Sequence, residues 1–229
     1  MKKFSIVIPV YNESCCISNL LIEIENSLKD LYDYEIIIVN DSSTDNTLEI
    51  LEKLKTQYKL IILTNKKNLG QSHSILKGVN KSIFETIVTM DGDGQNNPND
   101  IPTLVDKYFS TNCDLVSGIR KIRQDSFVKI FSSKIANFVR SKYLNDDCKD
   151  TGCALKVFNR KTFLYFPFFN GIHRFLPALF KGYGKEVIFL DVDHRIRKGG
   201  KSKYGTLNRL FKGLKDMFYV KKIIKNKLI

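Results

Sequence analysis

Residues 84–95 read Phe84-Glu85-Thr86-Ile87-Val88-Thr89-Met90-Asp91-Gly92-Asp93-Gly94-Gln95, a short apolar run that ends in two aspartates one residue apart. The β-branched run predicts a buried strand, so the acids stand at its carboxyl end. Ligands of an open α/β sheet bind at that edge, and two carboxylates with an amide oxygen suit a hard divalent cation. The segment therefore predicts a metal site, formed by Asp91, Asp93 and Gln95, that holds a phosphate-bearing substrate.

The same segment is compatible in composition with two other structures, a plain turn and a calcium loop. A solvated turn without a ligand has similar chemistry, because Asp-Gly pairs are common in turns. An EF-hand calcium loop counted from Asp91 needs Gly at position six and Glu at position twelve, where this sequence has Asn96 and Pro102. The calcium loop is excluded and the plain turn stays open.

Strand-like and helix-like segments alternate through the first half of the chain. Periodicity predicts strands at 4–8, 35–39, 60–63, 84–89 and 114–117, and helices at 14–30, 69–81 and 99–110. Residues 41–45 supply an N-cap for a further helix that runs through about residue 58. After residue 120, periodicity predicts helices at 126–144 and 172–181 and strands at 154–158 and 186–192. Such alternation predicts an α/β fold with a mainly parallel central sheet flanked by helices.

The length and composition fit one folded domain with an extension. The chain has 229 residues, 43% of them hydrophobic, which is enough for a substantial core. We predict a domain at 1–205 and an extension at 206–229, with no signal peptide and no transmembrane run. The five cysteines have no Cys-x-x-Cys spacing, which indicates reduced thiols in a cytosolic protein rather than a zinc site.

The positive charge is concentrated at the C-terminus. Residues 194–229 hold twelve Lys or Arg and one acid, a net +11 of the +13 carried by the whole chain. Within 206–229, apolar residues recur at helical spacing (Leu207, Leu210, Phe211, Leu214, Met217 and Phe218). This pattern predicts an amphipathic helix, which either lies on an anionic membrane surface or packs on the domain.

Polar residues follow several of the predicted strands. Pro9, Tyr11 and Glu13 follow the first, Asp41 follows the second, and Arg120 and Arg123 follow the fifth. Parallel strands would gather them into one crevice, where Asp41 either binds a nucleoside or caps the next helix. The chain has neither a Gly-x-Gly-x-x-Gly after the first strand nor a Walker motif, so metal and arginine must neutralise bound phosphates.

Taken together, the motifs resemble a known enzyme family. They are Ile6-Val-Ile-Pro-Val-Tyr-Asn-Glu13, Ile38-Val-Asn-Asp-Ser-Ser-Thr-Asp-Asn-Thr47, Asn68-Leu-Gly70, Met90-Asp-Gly-Asp-Gly-Gln-Asn-Asn-Pro98, Asp150-Thr-Gly-Cys153 and Ser202-Lys-Tyr204. The set resembles inverting family 2 glycosyltransferases, and among them the dolichyl- or polyprenyl-phosphate sugar synthases. The resemblance implies a GT-A fold with a Rossmann-like nucleotide-binding half and a C-terminal amphipathic helical extension.

The same resemblance implies roles for individual residues. It implies a nucleotide-sugar site (Pro9, Tyr11, Glu13, Val39, Asp41, Asp91 and Gly92), a site for Mg or Mn (Asp91, Asp93 and Gln95), and basic residues for donor and acceptor phosphates (Arg120, Arg197 and Lys203). Asp93 would serve catalysis through the metal. Asn40 and Ile119 depart from the family's usual acid and serine, which leaves the nucleotide preference open.

The choice of acceptor follows from what a nucleophile needs. A hydroxyl acceptor needs a general base, for which Asp150 is the best candidate here, whereas a lipid phosphate is already anionic and needs only cations to position it. The chain has no Trp and no Glu-Asp dipeptide, but it has a basic, glycine-containing loop at 194–204. These features favour a metal-dependent transferase that takes a sugar from a nucleoside diphosphate to a polyprenyl phosphate.

A polyprenyl phosphate acceptor predicts that the enzyme works at a membrane. Such an enzyme would work peripherally on the cytoplasmic face of an anionic membrane, with no nucleic-acid partner. Two rivals stay open: a glycosyltransferase that acts on a hydroxyl of a lipid or glycan, and a basic module that binds nucleic acid through its tail.

Overall fold

The computed structural model describes residues 1–121, 137–196 and 206–227, with side chains in the last range described from residue 213. The described chain forms a seven-stranded sheet in the order β3-β2-β1-β4-β6-β5-β7. The strands are β1 (Lys3–Val10), β2 (Asp33–Asn40), β3 (Leu60–Thr64), β4 (Thr86–Thr89), β5 (Leu115–Arg120), β6 (Lys156–Asn159) and β7 (Val187–Val192). β6 is antiparallel to β4 and β5, and the other pairs are parallel. The predicted mainly parallel sheet is confirmed.

Helices cover both faces of this sheet. They are α1 (Ile17–Leu28), α2 (Thr47–Leu54), α3 (Gln71–Lys81), α4 (Ile101–Thr111), α5 (137–144), α6 (Arg160–Tyr165), α7 (Leu176–Gly182) and α8 (Thr206–Lys227). Short 3₁₀ turns occur at Pro98–Asp100 and Ile172–Arg174. Of the helix predicted at 126–144, only 137–144 lies within the described residues, and that part is helical.

The alternation of β1 side chains divides the core in two. Ile6 and Ile8 face α1, α2 and α4, whereas Val7 faces α3, α7 and α8. Successive strand side chains point to opposite faces, so an uninterrupted apolar strand needs helices on both sides. This explains why β1 reads Phe-Ser-Ile-Val-Ile rather than alternating apolar with polar residues.

The C-terminal helix α8 contributes to the second half of the core. Met217, Val220 and Ile223 are buried there, each worth about 1.5–3 kcal/mol of burial before chain entropy is subtracted. The predicted apolar face is therefore only partly right, because Leu214 and Phe218 are exposed while Val220 and Ile223 are buried. The side chains of Leu207, Leu210 and Phe211 lie outside the described residues.

Candidate active site at the carboxyl edge of the sheet

The ends of β1, β2 and β4 bring the predicted donor residues to one edge. Val10 pairs with Asn40 in register, and the Val10 carbonyl accepts a 2.8 Å hydrogen bond from the Asp41 N–H. A Cβ on Gly92 would lie 2.6 Å from Val10 Cγ1, so only glycine allows the loop after β4 to approach β1 this closely. We call residues 90–95 the acid-pair loop. Its contact with β1 brings Asp91 within electrostatic range of Glu13.

The electrostatics of the acid-pair loop disfavour the ionised form of Asp91. Burial and the charges of Asp93 and Glu13 raise the pKa of Asp91, Lys156 and Arg120 lower it, and the net result is a pKa of about 7. Two carboxylates that resist simultaneous ionisation create the field that a divalent cation would relieve. The donor set of Asp91 and Asp93 therefore fits Mg²⁺ or Mn²⁺.

The described residues complete no cage for an ion by themselves. Among 1–121, 137–196 and 206–227, no group of three or more His, Cys, Asp or Glu side chains could hold a metal ion. A magnesium-like ion commonly takes one or two carboxylates and completes its shell with water and substrate phosphate. The pair thus fits an ion that arrives with a phosphate-bearing substrate.

Hydrogen bonds fix the orientation of the two aspartates. Gln71 Nε2 donates to Asp91 Oδ1 at 2.7 Å, and the Asp91 N–H donates to Asn96 Oδ1 at 3.0 Å. Asp93 Oδ1 accepts from the Gln95 N–H at 3.1 Å. The sequence analysis missed Gln71 and Asn96. The signal for Gln71 was its place at the first residue of a helix that follows Asn68-Leu69-Gly70.

Gln95 connects the acid-pair loop to the segment after β7. The Gln95 Nε2 atom lies 3.3 Å from His194 Nε2 and 3.3 Å from the Arg195 carbonyl oxygen. The main-chain carbonyl of Gln95 also accepts a hydrogen bond from the Arg195 N–H at 2.9 Å. The basic loop predicted at 194–204 thus begins against the acid pair. Arg197 and Lys203, together with Arg123, lie outside the described residues.

Asp41 does not cap the helix that follows β2. α2 begins at Thr47, where the Asp45 carboxylate accepts from the Thr47 N–H. The Asp41 carboxylate instead accepts from Asn65 Nδ2 at 2.7 Å and from the N–H groups of Leu69 and Gly70 at 2.9 and 2.8 Å. Asp41 is thereby held at the sheet edge, beside the beginning of α3.

The other predicted nucleotide residues are placed less uniformly. Pro9 is the second-last residue of β1 and pairs with Val39 of β2, and Tyr11 and Glu13 follow the strand. The Glu13 N–H donates to Thr47 Oγ1 at 2.9 Å, which joins this loop to α2. The Val39 side chain is fully buried in the second half of the core, so only its main chain lies at the edge.

Arg120 and Asp150 form an ion pair at the same edge. The sequence predicted that Arg120 follows the fifth strand, whereas in the structure it is the last residue of β5. Its Nε and Nη2 donate to the two Asp150 carboxylate oxygens at 2.6 and 2.7 Å, and the two side chains are 12% and 7% exposed. Both carboxylate oxygens of Asp150 thus accept from a guanidinium, which favours a positioning role over that of a general base.

A buried lysine near the acid pair was also missed. Lys156 on β6 is 2% exposed, and its Nζ donates to the Cys153 carbonyl. It lies opposite Thr89 of β4 and Ser117 of β5 in the sheet. Its positive charge lowers the pKa of Asp91. In the sequence, the only signal was a lysine inside an otherwise apolar strand.

Hydrogen bonds also connect the beginning of α3 to α8. Ser72, next to Gln71, accepts from the Gly171 N–H at 2.9 Å and lies 2.7 Å from His173 Nδ1. Arg174 Nη2 then pairs with Asp216 of α8 at 2.7 Å. Gly171 has a φ of +140°, which favours glycine, and a Cβ there would lie 2.5 Å from Asp216 Oδ2.

The chain is similar to proteins of known family and fold. It matches the model of glycosyl transferase family 2 over residues 5–166. It is 33% identical over 211 residues to an undecaprenyl-phosphate 4-deoxy-4-formamido-L-arabinose transferase of Proteus mirabilis, covering 90% of this chain and 64% of that protein. It is 31% identical over 224 residues to a dodecaprenyl-phosphate galacturonate synthase of Rhizobium johnstonii, covering 95% and 66%. The chain thus spans about two thirds of the length of these relatives.

A solved structure supports the fold. The glucosyl-3-phosphoglycerate synthase of Mycobacterium tuberculosis, crystallised with Mn²⁺, UDP and glucosyl-3-phosphoglycerate, superposes with a TM-score of 0.70 at 16% identity, covering 96% of this chain and 78% of that one. The predicted GT-A fold is confirmed.

Proposed function

Because this chain belongs to glycosyl transferase family 2, we propose that it transfers a sugar, with inversion, from a nucleoside-diphosphate sugar to a polyprenyl phosphate. The names of the two relatives above support the acceptor class. The observation that carries the proposal is the Asp91–Asp93 pair, held against the end of β1 with Asp91 within electrostatic range of Glu13.

The chain's residues prepare the donor end of the site. Asp91 and Asp93 would hold Mg²⁺ or Mn²⁺, which when bound stabilises negative charge on the departing diphosphate. Gln71 orients Asp91, and the hydrogen bonds from Asn65, Leu69 and Gly70 fix Asp41 where the nucleoside would lie. These contacts are made within the protein itself, so little reorganisation of the donor end should be needed during transfer.

The acceptor end needs cations rather than a base. A polyprenyl phosphate oxygen is already negatively charged near neutral pH, so the protein has to position it and remove no proton. Arg120, kept in place by Asp150, supplies one cation within electrostatic range of Asp91. Arg197 and Lys203 are the further cations that the family resemblance implies for this step.

The alternative is a hydroxyl acceptor with Asp150 as general base. Its place at the active edge is the observation in its favour. A base must direct a free lone pair at the acceptor hydroxyl, however, and both carboxylate oxygens of Asp150 already accept from Arg120. Transfer that depends on Asp150 and ignores a phosphate on the acceptor would support this alternative.

The proposed acceptor places the enzyme at a membrane. The helices described here include none that is both long and apolar enough to span a bilayer. We propose peripheral contact with an anionic membrane at its cytoplasmic face, through the predicted extension at 206–229.

The deciding experiment offers GDP- and UDP-sugars with a polyprenyl phosphate and detects glycolipid by mass. Product is expected with one nucleotide class, is lost with a chelator and returns with Mg²⁺ or Mn²⁺. The matched acceptor control is the polyprenol without its phosphate, which should yield no product. Equal transfer to the polyprenol, or unchanged transfer under chelation, would overturn the proposal.

A further inference from the structure

Helices α5 and α8 each expose aromatic and aliphatic side chains, and the two helices meet at Tyr143 and Phe218. Phe138 and Phe218 are 64% and 57% exposed, and Val139, Tyr143 and Leu214 are also exposed. The rings of Tyr143 and Phe218 meet edge to face at 5.4 Å between centroids, which joins the two helices. We call these five side chains the aromatic patch.

The burial of α8 explains why these residues face outward. Asp216, Met217, Val220 and Ile223 turn toward the domain, and helical periodicity then places Leu214 and Phe218 on the opposite side. The apolar requirement of the core is therefore already met by other residues. The exposed rings of Tyr143 and Phe218, which are in contact, therefore need a different explanation.

Lysines surround the aromatic patch. Lys215, Lys222 and Lys225 of α8 are exposed, and Lys142 Nζ lies 6.0 Å from the Phe138 ring centroid. Lys221 Nζ donates to the Tyr143 carbonyl at 2.9 Å and lies 5.6 Å from the Tyr143 ring centroid. Within 137–144 and 213–227, the sole acidic residue is Asp216, which is buried and paired with Arg174.

This combination of charge and apolar area favours one occupant. A second copy of the chain would bring lysines against lysines, and an apolar protein partner would leave them without counter-charges. An anionic bilayer satisfies both features, because rings enter the headgroup region while lysines contact lipid phosphates.

We propose that α5 and α8 jointly form the surface by which this protein binds an anionic bilayer, with Phe138 and Phe218 entering it. The inference rests on the proposed function, since a polyprenyl phosphate acceptor lies in a membrane. It goes further by adding α5 to the contact and by assigning the inserting residues.

The test is sedimentation of the full chain with vesicles of phosphatidylglycerol and phosphatidylcholine. Wild type should bind these vesicles, bind phosphatidylcholine alone weakly, and lose binding as salt rises. The double variant Phe138→Ser/Phe218→Ser should lose about tenfold or more in affinity. The matched control is Ile83→Ser, which removes a side chain that is 72% exposed but lies between α3 and β4.

A charge variant tests the lysines separately. Lys222→Glu/Lys225→Glu should weaken vesicle binding about tenfold or more, because each basic residue near an anionic surface contributes to attraction. Lys29→Glu/Lys59→Glu changes the net charge equally at exposed positions outside α5 and α8, and should bind nearly as wild type does. Equal losses in both pairs would overturn the assignment, as would wild-type binding by the Phe138/Phe218 variant.

The two proposals can fail separately. Transfer is measured in parallel with a short, water-soluble prenyl phosphate, which needs no bilayer. Transfer without patch-dependent vesicle binding overturns the surface alone. Patch-dependent binding without transfer leaves the surface standing and overturns the proposed function. Tight binding of RNA with no binding of vesicles would overturn the surface in favour of a nucleic-acid partner.

Discussion

The acid-pair loop and the Arg120–Asp150 pair lie at the same edge of the sheet but treat charge in opposite ways. Asp91 and Asp93 stand together, and the pKa of Asp91 is raised to about 7 because burial and neighbouring acids disfavour its charge. Asp150 has a guanidinium on both oxygens. The acid pair brings like charges together, which favours a bound cation, whereas Asp150 is paired directly with Arg120.

This difference separates a group that would bind a cation from a pair in which Asp150 positions Arg120. Repulsion between neighbouring carboxylates costs folding free energy that a bound cation can recover, whereas a buried ion pair mainly fixes geometry. Substitution, added metal and pH should therefore affect the two groups differently.

The largest effect is expected at the acid pair. Asp93→Ala should reduce transfer by about 1,000-fold or more, because the leaving diphosphate loses the ion that stabilises it. Circular dichroism and thermal unfolding should show an intact fold. Asp106→Ala on α4, whose carboxylate binds Lys2 and Tyr32, is the matched control and should transfer normally. Near-normal transfer by Asp93→Ala would contradict the metal role.

The next largest effect is expected at the Arg120–Asp150 pair and is a change in stability. Arg120→Met should lower the free energy of unfolding by about 3 kcal/mol or more, because Asp150 would keep a buried charge without its partner. Lys53→Met breaks the exposed Lys53–Glu49 pair and should change stability by less than about 1 kcal/mol. Urea unfolding measures both variants. Similar values for the two would show that burial does not distinguish these pairs.

The dependence of metal stabilisation on pH sharpens the comparison. The folded pKa of Asp91, about 7, lies above its ordinary value of 3.8, so the metal-free fold binds an extra proton between these values and loses stability as pH rises through them. Mn²⁺ needs the ionised form of Asp91. At about pH 8 and a hundred times its Kd it should stabilise the fold by about 2.7 kcal/mol, and the same Mn²⁺ concentration should stabilise it less at pH 5.5.

Thermal unfolding with and without Mn²⁺ measures this difference. Asp91→Asn is the reference, since it removes the titrating group and should abolish both the metal effect and its pH dependence. The metal-free Asp91→Asn protein should also be more stable than wild type at alkaline pH. An equal Mn²⁺ effect at both pH values would argue against Asp91 as a ligand.

The smallest effect concerns the residue that orients Asp91. Gln71→Leu should weaken Mn²⁺ binding about tenfold, because groups that orient a ligand typically contribute that much. Asn80→Ala, on the exposed side of the same helix, removes only a hydrogen bond to the Leu76 carbonyl and should bind Mn²⁺ normally. Calorimetric titration separates the two variants. Equal affinities would remove Gln71 from the site.

The sequence predicted the elements of the fold better than their arrangement. The strands at the sheet centre were found because apolar β-branched runs bounded by glycine have few other interpretations. The reversal of β6 was not predicted, since the four residues Lys156–Asn159 carry no sign of direction. The beginning of α2 was placed too early because Asp41 and Asp45 have the same capping chemistry, and only contacts with Asn65, Leu69 and Gly70 distinguish them.

Within the candidate site, the acids were found and their supports were not. Asp91, Asp93 and Asp150 stand in motifs where carboxylates cluster, so local sequence indicates them. Gln71 and Lys156 act on Asp91 from positions twenty residues before it and sixty-five after it, and their relation exists only once α3 and β6 have packed. Predicting them requires the sheet order, which periodicity does not contain.

The close packing of Gly171 against Asp216 has a consequence for engineering. Helix α8 cannot simply be replaced by another amphipathic helix, because Asp216 packs against Gly171 and pairs with Arg174. A chimera would have to transplant Gly171, Arg174 and Asp216 as one unit. Without them, the turn whose Gly171 N–H donates to Ser72 would no longer be held by α8, and the beginning of α3 would lose that support.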